Sequence, residues 1–369
     1  MATTEKIPAS SNRLVSLDFM RGIIMVFLAL ESTGLYEHLE KMSGSSLFNS
    51  FMQQFFHHPW NGLHFWDLIQ PGFMFIAGTA MALSLEKQHQ KGVSWNQSFI
   101  KVLKRSLLLF FWGVLDYAVK RDGSLSFELW DVLTQLSFTT LVAFLVFRWS
   151  YFWQIITCIL LLLLTECLYR FTNIPGFNQP FVDQHNFGNY TDLLLMNKIN
   201  KGGWVAINCI PTAVHTIAGA MVGKILLQTR KIKWLVIWGS ITLITGYLLN
   251  IIHLTPIIKR IATSSFTLAS LGWCLLAYAF IYWWIDLKEH KKYLSFFTIV
   301  GMNSLFIYLF FEIVGSRWFN NYVGDITNGL MGFIATPENI KLIITSLIIF
   351  ALEWYMCYFL YKKKVFIKL

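Results

Sequence analysis

FFHHPWNGLHFWDLIQPGFMFIAG, at residues 55–78, opens on paired histidines and ends as apolar, aromatic-rich chain. It runs into an apolar stretch over 62–84, about the length that carries a helix across ~30 Å of hydrocarbon. His57, His58, Trp60, Asn61 and Asp67 therefore stand at the threshold of a membrane span, where desolvation makes titratable groups costly. The rest of the chain agrees with that reading. Of 369 residues, 55% are hydrophobic, 17% aromatic and only 14% charged, whereas a soluble domain carries about a quarter charged residues.

Similar apolar runs recur near 17–36, 100–119, 129–147, 150–168, 204–225, 233–253, 262–285, 294–313 and 340–361. The expected fold is an all-α polytopic membrane protein of about ten transmembrane helices. Ten spans put both termini on one side. With that side inside, the inner connections hold the larger part of the 30 Lys and Arg, so both termini are expected to be cytoplasmic. The chain reads as a single domain over 1–369, with outer connections at 37–61, 169–203 and 314–339. In the first, SSLFNSFMQQFF suits an interfacial amphipathic helix or a lid. In the second, NYT at 189–191 matches a glycosylation sequon.

The net charge of +10 mostly reflects the inside bias. The charges flank helices and form no groove-reading motif, which argues against nucleic acid as a partner. The closing YKKKVFIKL reads as an anchor facing anionic headgroups. The first 16 residues are polar and no small-residue cleavage site follows, so the first apolar run is expected to be a retained helix. Cys158, Cys167, Cys209, Cys274 and Cys357 lie in the apolar runs without metal-ligand spacing, and read as packing residues. No metal is expected. GAMVG at 219–223 has the small-residue spacing that lets membrane helices approach closely.

Projected onto depth, the polar groups sort into two layers. Glu31, His57, His58, Asn61, Asp67, Asp116, Asp131, Asn208 and Glu312 fall toward the outer face. Asp18, Arg21, Lys101, Lys104, Arg105 and Lys224 fall toward the inner one. Asp18 and Arg21, three apart, share a helical face and are expected to form a structural ion pair. Lys101 and Arg105, four apart, put two cations on one face at the inner mouth of the third helix. Asn303 lies in the middle of the run 294–313.

Six motifs then carry a resemblance: RLVSLDFMRG, HHPWNGLHFWDLIQPGFMFIAG, KVLKRSLLL, GAMVGKILL, GMNSLFIYLFFE and YKKKVFIKL, in that order from Arg13 to Leu369. Together they resemble the membrane domain of the heparan-alpha-glucosaminide N-acetyltransferase family and its bacterial relatives. The resemblance implies acetyl transfer across a membrane, from cytoplasmic acetyl-CoA to an amino sugar or related glycan on the far side. It implies His57, three residues before WNGL, as the catalytic residue, with Asp67 orienting an imidazole or binding acceptor. An imidazole of pKa about 6.5 can take the proton of an attacking amine at neutral pH. Glu31, Ser32, His58, Asn61, Asp131 and Glu312 are expected around the acceptor. Lys101, Arg105 and Asn303 are expected on the donor side, where cations suit the phosphates of CoA.

Two positions depart from the family pattern: Ser32 stands where an Asn is common, and Gln135 in VLTQLS replaces an arginine. A sugar O-acetyltransferase and a polytopic transporter of a polar solute stay open as alternatives. Expected partners are acetyl-CoA, the acceptor and the lipid bilayer, with a second copy of the chain left open. The expected location is a bacterial inner membrane.

Overall fold

The computed structural model describes residues 14–42, 45–118, 124–228, 231–333 and 336–367. Lys6, Arg13, Lys120, Arg121, Arg230 and Lys368, which entered the charge asymmetry, lie outside the described residues. Helices α1 (Val15–Ser32), α2 (Leu35–Glu40) and α3 (Ser46–Gln53) lead to a 3-10 turn, Phe65–Leu68, that runs straight into α4 (Ile69–Gln90). Then come α5 (Trp95–Ala118), α6 (Val132–Val146), α7 (Tyr151–Phe171), α8 (Phe187–Met196) and α9 (Cys209–Gln228). The chain continues through α10 (Lys233–Ile251), α11 (Ser264–Tyr282), α12 (Ser295–Met302), α13 (Ser304–Leu309), α14 (Asn320–Met331) and α15 (Glu338–Lys362).

The all-helical membrane fold is borne out. Each expected apolar run holds a helix, yet only six helices among the described residues are both long and apolar enough to cross a membrane. A bent pair, Ser295–Met302 and Ser304–Met331, turns by 76° and makes a seventh if counted as one span. The shortfall from ten has a physical cause. α1 and α5 are long enough, but they carry Asp18, Arg21, Glu31, Lys101, Lys104, Arg105 and Asp116. All seven line cavities or lie buried inside the bundle, as charges at membrane depth must. α6 has 15 residues and is too short. By contrast α10 buries only Leu235, Gly239 and Gly246 and turns Trp238, Ile244 and Leu248 outward, as a lipid-facing helix does.

Local chemistry sets the helix starts. Ser94 and Gln97 form a reciprocal cap before α5, Asp131 accepts from Leu133 N at 2.7 Å ahead of α6, and Thr263 caps α11. The sequon residue Asn189 is fully buried in the capping box of α8 with Asn186.

Glycine permits two close seams. At Gly219 a Cβ would come within 2.0 Å of Phe75 O, so α4 and α9 touch backbone to backbone. Thr79 Oγ1 donates to Gly219 O at 3.1 Å across that seam. At Gly22 and Gly301 added Cβ atoms would meet Phe297 O and Asp18 O at 2.0 and 2.2 Å. These glycines of the RG and GMN motifs thus lock α1 to α12. In lipid such contacts replace the hydrophobic drive between helices.

Two connections differ from expectation. Much of 314–339 is helical rather than loop: a π-helical segment, Phe310–Phe319, leads into α14, with Phe310 and Phe319 rings 5.4 Å apart. SSLFNSFMQQFF forms α3, but Phe48, Phe55 and Phe56 pack on the core and leave Leu47 and Phe51 exposed. Asn303 sits at the α12–α13 break, φ −119° and ψ 34°, not in the middle of a helix.

Candidate functional site

Two cavities lie one behind the other along α4. The first, about 600 Å³, is lined by Asp18, Arg21, Lys87 and Arg105, with Ile76 and Leu109 among its apolar walls. The second, about 290 Å³, is lined by Glu31, His57, Asp131, Trp204, Lys259 and Glu312. Both reach Phe73, Val132 and Tyr308, which form the wall between them. From Ile69 in the second to Lys87 in the first, α4 rises ~27 Å at about 1.5 Å per residue, close to the hydrocarbon thickness.

The basic cavity is built by helices. Asp18 and Arg21 meet at 3.4 Å, and Arg21 Nη1 also donates to Gly301 O at 3.5 Å. Arg105 Nε is buried without a partner, an orphan donor that an anionic ligand would satisfy. Lys101 is exposed and lines an adjoining cavity of about 390 Å³ with Lys104 and Arg105.

The cluster around His57 in the second cavity is built by connectors. His57 Nδ1 lies 3.0 Å from Asp67 Oδ1. Asp67 is fully buried, and its Oδ2 accepts from the backbone N–H of His58 at 3.2 Å and of His64 at 2.9 Å. The carboxylate thus fixes both the ring and the chain that carries it. Lys259 Nζ approaches the same Nδ1 at 3.1 Å and Asp67 Oδ1 at 3.7 Å. Trp204 closes the side, edge-on to His57 at 5.4 Å and 5.2 Å from the ammonium. Burial first, and the Lys259 charge second, lower the His57 imidazole to about 4 against the pull of Asp67. Burial brings the Lys259 ammonium down to about 8, with Asp67 and Glu31 opposing.

Two connectors hold this cluster. Gly62 N donates to Ile257 O at 2.8 Å and Ile257 N to Asn61 Oδ1 at 3.1 Å. The Lys259 turn is closed by Thr263 Oγ1 donating to Pro256 O at 2.6 Å. It also holds Ala262 at φ +51°, a strained conformation for a residue with a Cβ.

Of the residues expected around the acceptor, Glu31, Asp131 and Glu312 line the histidine cavity, and three do not. Ser32 Oγ turns back onto Ala29 O at 2.8 Å because hydroxyls at helix ends bond the preceding turn. The His58 ring packs against His64 at 4.7 Å and over Gly62, where a Cβ would strike it. Asn61 is spent on Ile257 N. On the other side Asn303 is fully buried and clamps the C-terminal segment, donating to Val365 O at 3.3 Å and accepting from Ile367 N at 3.1 Å. It is Ile367, not Asn303, that lines the basic cavity. Gln135 bonds Gln70 and Trp130 O.

Sequence reasoning missed Lys259, Trp204 and Tyr308. A Lys-Arg pair inside IIKRIA, a short turn between two apolar runs, was the signal for the first. Tyr308 donates to Asp131 Oδ2 at 2.7 Å, so the cap of α6 also braces the wall between the cavities.

No family model matches the chain. Heparan-alpha-glucosaminide N-acetyltransferase of Mus musculus is 25% identical over 431 residues, covering 98% of this chain and 61% of the mouse protein. The Homo sapiens protein of the same name is 31% identical over 112 residues, 30% of this chain and 15% of that protein. The chain thus spans about 61% of the length of the mouse relative. The resemblance carried by the six motifs is borne out: the chain is similar to heparan-alpha-glucosaminide N-acetyltransferase over 98% of its own length.

Proposed function

We propose that the chain is a membrane acetyltransferase that takes acetyl from acetyl-CoA on the cytoplasmic side and passes it to an amino sugar or related glycan on the other. The observation that carries this reading is the end-to-end pair of cavities, one basic, one holding His57 on a buried carboxylate. Arg21, Lys87 and Arg105 would hold the anionic head of acetyl-CoA, while its long pantetheine arm extends toward Phe73 and Tyr308. In the other cavity Glu31, Asp131 and Glu312 suit an amine-bearing acceptor, and Trp130 and Trp204 supply faces for a sugar ring.

The chemistry balances with protein groups alone. The acceptor amine forms a bond to the acetyl carbon as the thioester C–S bond breaks, and CoA leaves as the thiol(ate). With Nδ1 occupied by Asp67, Nε2 of His57 is the nitrogen available to take the proton released by the amine. The excess of Lys and Arg at the end of the bundle that holds the basic cavity supports cytoplasmic termini.

The test is transfer of labelled acetyl from acetyl-CoA to a panel of amino sugars by purified protein in detergent. Transfer to amine-bearing acceptors only supports the reading; transfer to hydroxyls of amine-free sugars selects the O-acetyl alternative. No transfer to any acceptor would favour the transporter reading. Single cysteines at Asn178 and Lys364, labelled from outside intact cells, test the sidedness: only the first is expected to react.

A further inference from the structure

We propose that Lys259 is a positioning residue for His57: its ammonium beside Nδ1 keeps the ring from taking a second proton, in acid as well as at neutral pH. The inference rests on the acetyl-transfer reading for its purpose, but its geometry stands by itself.

One carboxylate oxygen serves two partners. Asp67 Oδ1 lies 3.0 Å from His57 Nδ1 and 3.7 Å from Lys259 Nζ, and those two nitrogens are 3.1 Å apart. Asp67 Oδ2 is already spent on two backbone N–H groups and cannot take either over. A second proton on the ring would therefore place imidazolium and ammonium side by side on a single oxygen. Like charges in that position disfavour ring protonation strongly. Without Lys259, Asp67 pulls toward the imidazolium with only burial and the more distant Arg260 opposing it.

The lysine cannot easily swing away. It is 6% exposed, lies by Trp204, and sits in a turn fixed by Thr263, by Gly62 and Asn61, and by the strained Ala262. The other charges facing the cluster are Glu31 on α1, Arg260 on the same turn, Asp131 before α6 and Glu312 on the π-helical segment, with His58 and His64 behind. Glu31 and Asp67 favour positive charge here; Arg260 opposes it. Lys259 is the only one of the cations whose nitrogen touches Nδ1 among the described contacts.

Diethyl pyrocarbonate acylates only unprotonated imidazole, and the His57 side chain, 35% exposed, is open to it. Its rate at His57, read by peptide mass spectrometry against added N-acetylhistidine, needs neither acetyl-CoA nor an acceptor. In the wild type the rate relative to its plateau should hold within about twofold from pH 8 to pH 5. In Lys259→Met it should fall at least threefold over the same interval, with burial still holding the ring below an ordinary imidazole. Lys259→Arg, which keeps the charge, should follow the wild type. In acetyl transfer the acid limb of Lys259→Met should move up by at least one pH unit, with the rate at pH 8 changed less than tenfold.

A wild-type profile that falls near pH 6.5 overturns the proposal without any variant, which covers the case of a methionine variant that does not fold. Unchanged profiles in Lys259→Met, or equal losses at every pH in both variants, also overturn it and leave Lys259 a packing residue. The expected reagent profiles in a protein that transfers no acetyl would instead refute the acetyltransferase reading and leave the Lys259–His57 coupling intact.

Discussion

The basic cavity and the histidine cavity share three wall residues and differ in how they are made. In the first, the charges stand on helices: Asp18 and Arg21 on α1, Lys87 on α4, Arg105 on α5. In the second, His57, Trp204 and Lys259 stand on connectors, and the His57–Lys259 contact joins residues 202 apart in sequence. Helices hold charge at fixed spacing and depth, which suits tethering a large anionic donor. Connectors tied by backbone bonds can bring three elements onto one imidazole nitrogen, which suits chemistry. The difference implies that binding and turnover can be damaged separately.

The largest expected effect is on turnover. His57→Ala should lose about 10²–10⁴-fold in acetyl transfer while acetyl-CoA still binds with near wild-type affinity, and His58→Ala should lose far less than tenfold. Labelled transfer and a donor titration on the same preparations check both. A His57→Ala protein that also loses the donor would merge the two cavities into one function.

Next comes binding. Arg105→Ala should weaken acetyl-CoA by roughly ten- to a hundredfold, the worth of about 1.5–3 kcal/mol in charged hydrogen bonds, with the rate at saturating donor little changed. Lys101→Ala, an exposed cation, should cost about threefold or less. Equal losses for the two would point to general attraction rather than a built site.

Smaller still are the seams that frame the basic cavity. Gly301→Ala would drive a Cβ against Asp18 O and should cost about 1–3 kcal/mol of stability, read as a lower thermal midpoint, while reagent labelling of His57 keeps its pH profile. Asn303→Ala should cost about 1–2 kcal/mol by freeing Val365 and Ile367. Its donor affinity should fall less than that of Arg105→Ala; a matching fall would make Asn303 a donor contact.

These contrasts also explain what the sequence could tell. Apolar length revealed the helices, and i, i+3 or i, i+4 spacing brought Asp18 to Arg21 and Lys101 beside Arg105, because helix geometry ties neighbours in sequence to neighbours in space. His57 and Asp67 were legible through motif likeness. Lys259 and Trp204 were not, since only tertiary folding brings their connectors to His57. Ser32 and Asn61 failed in the opposite sense: each sits near the site in sequence, but its polar atom is consumed by local backbone. Only six or seven of the described helices pass on length and apolarity, in part because the charges of α1 and α5, which face cavities or the bundle interior, lower their hydropathy.

Phe73, Val132 and Tyr308 also have an electrical meaning. With a cavity on either side, a membrane potential drops chiefly across these three side chains instead of along the whole ~30 Å of α4. Moving one charge through that drop is worth about 2.3 kcal/mol per 100 mV. Acetyl leaves the thioester bonding electrons on sulfur, so transfer to an amine whose proton stays on the His57 side, with the thiolate reprotonated on the Arg105 side, carries one positive charge across the wall. Under the proposed chemistry each turnover therefore works with or against the membrane voltage.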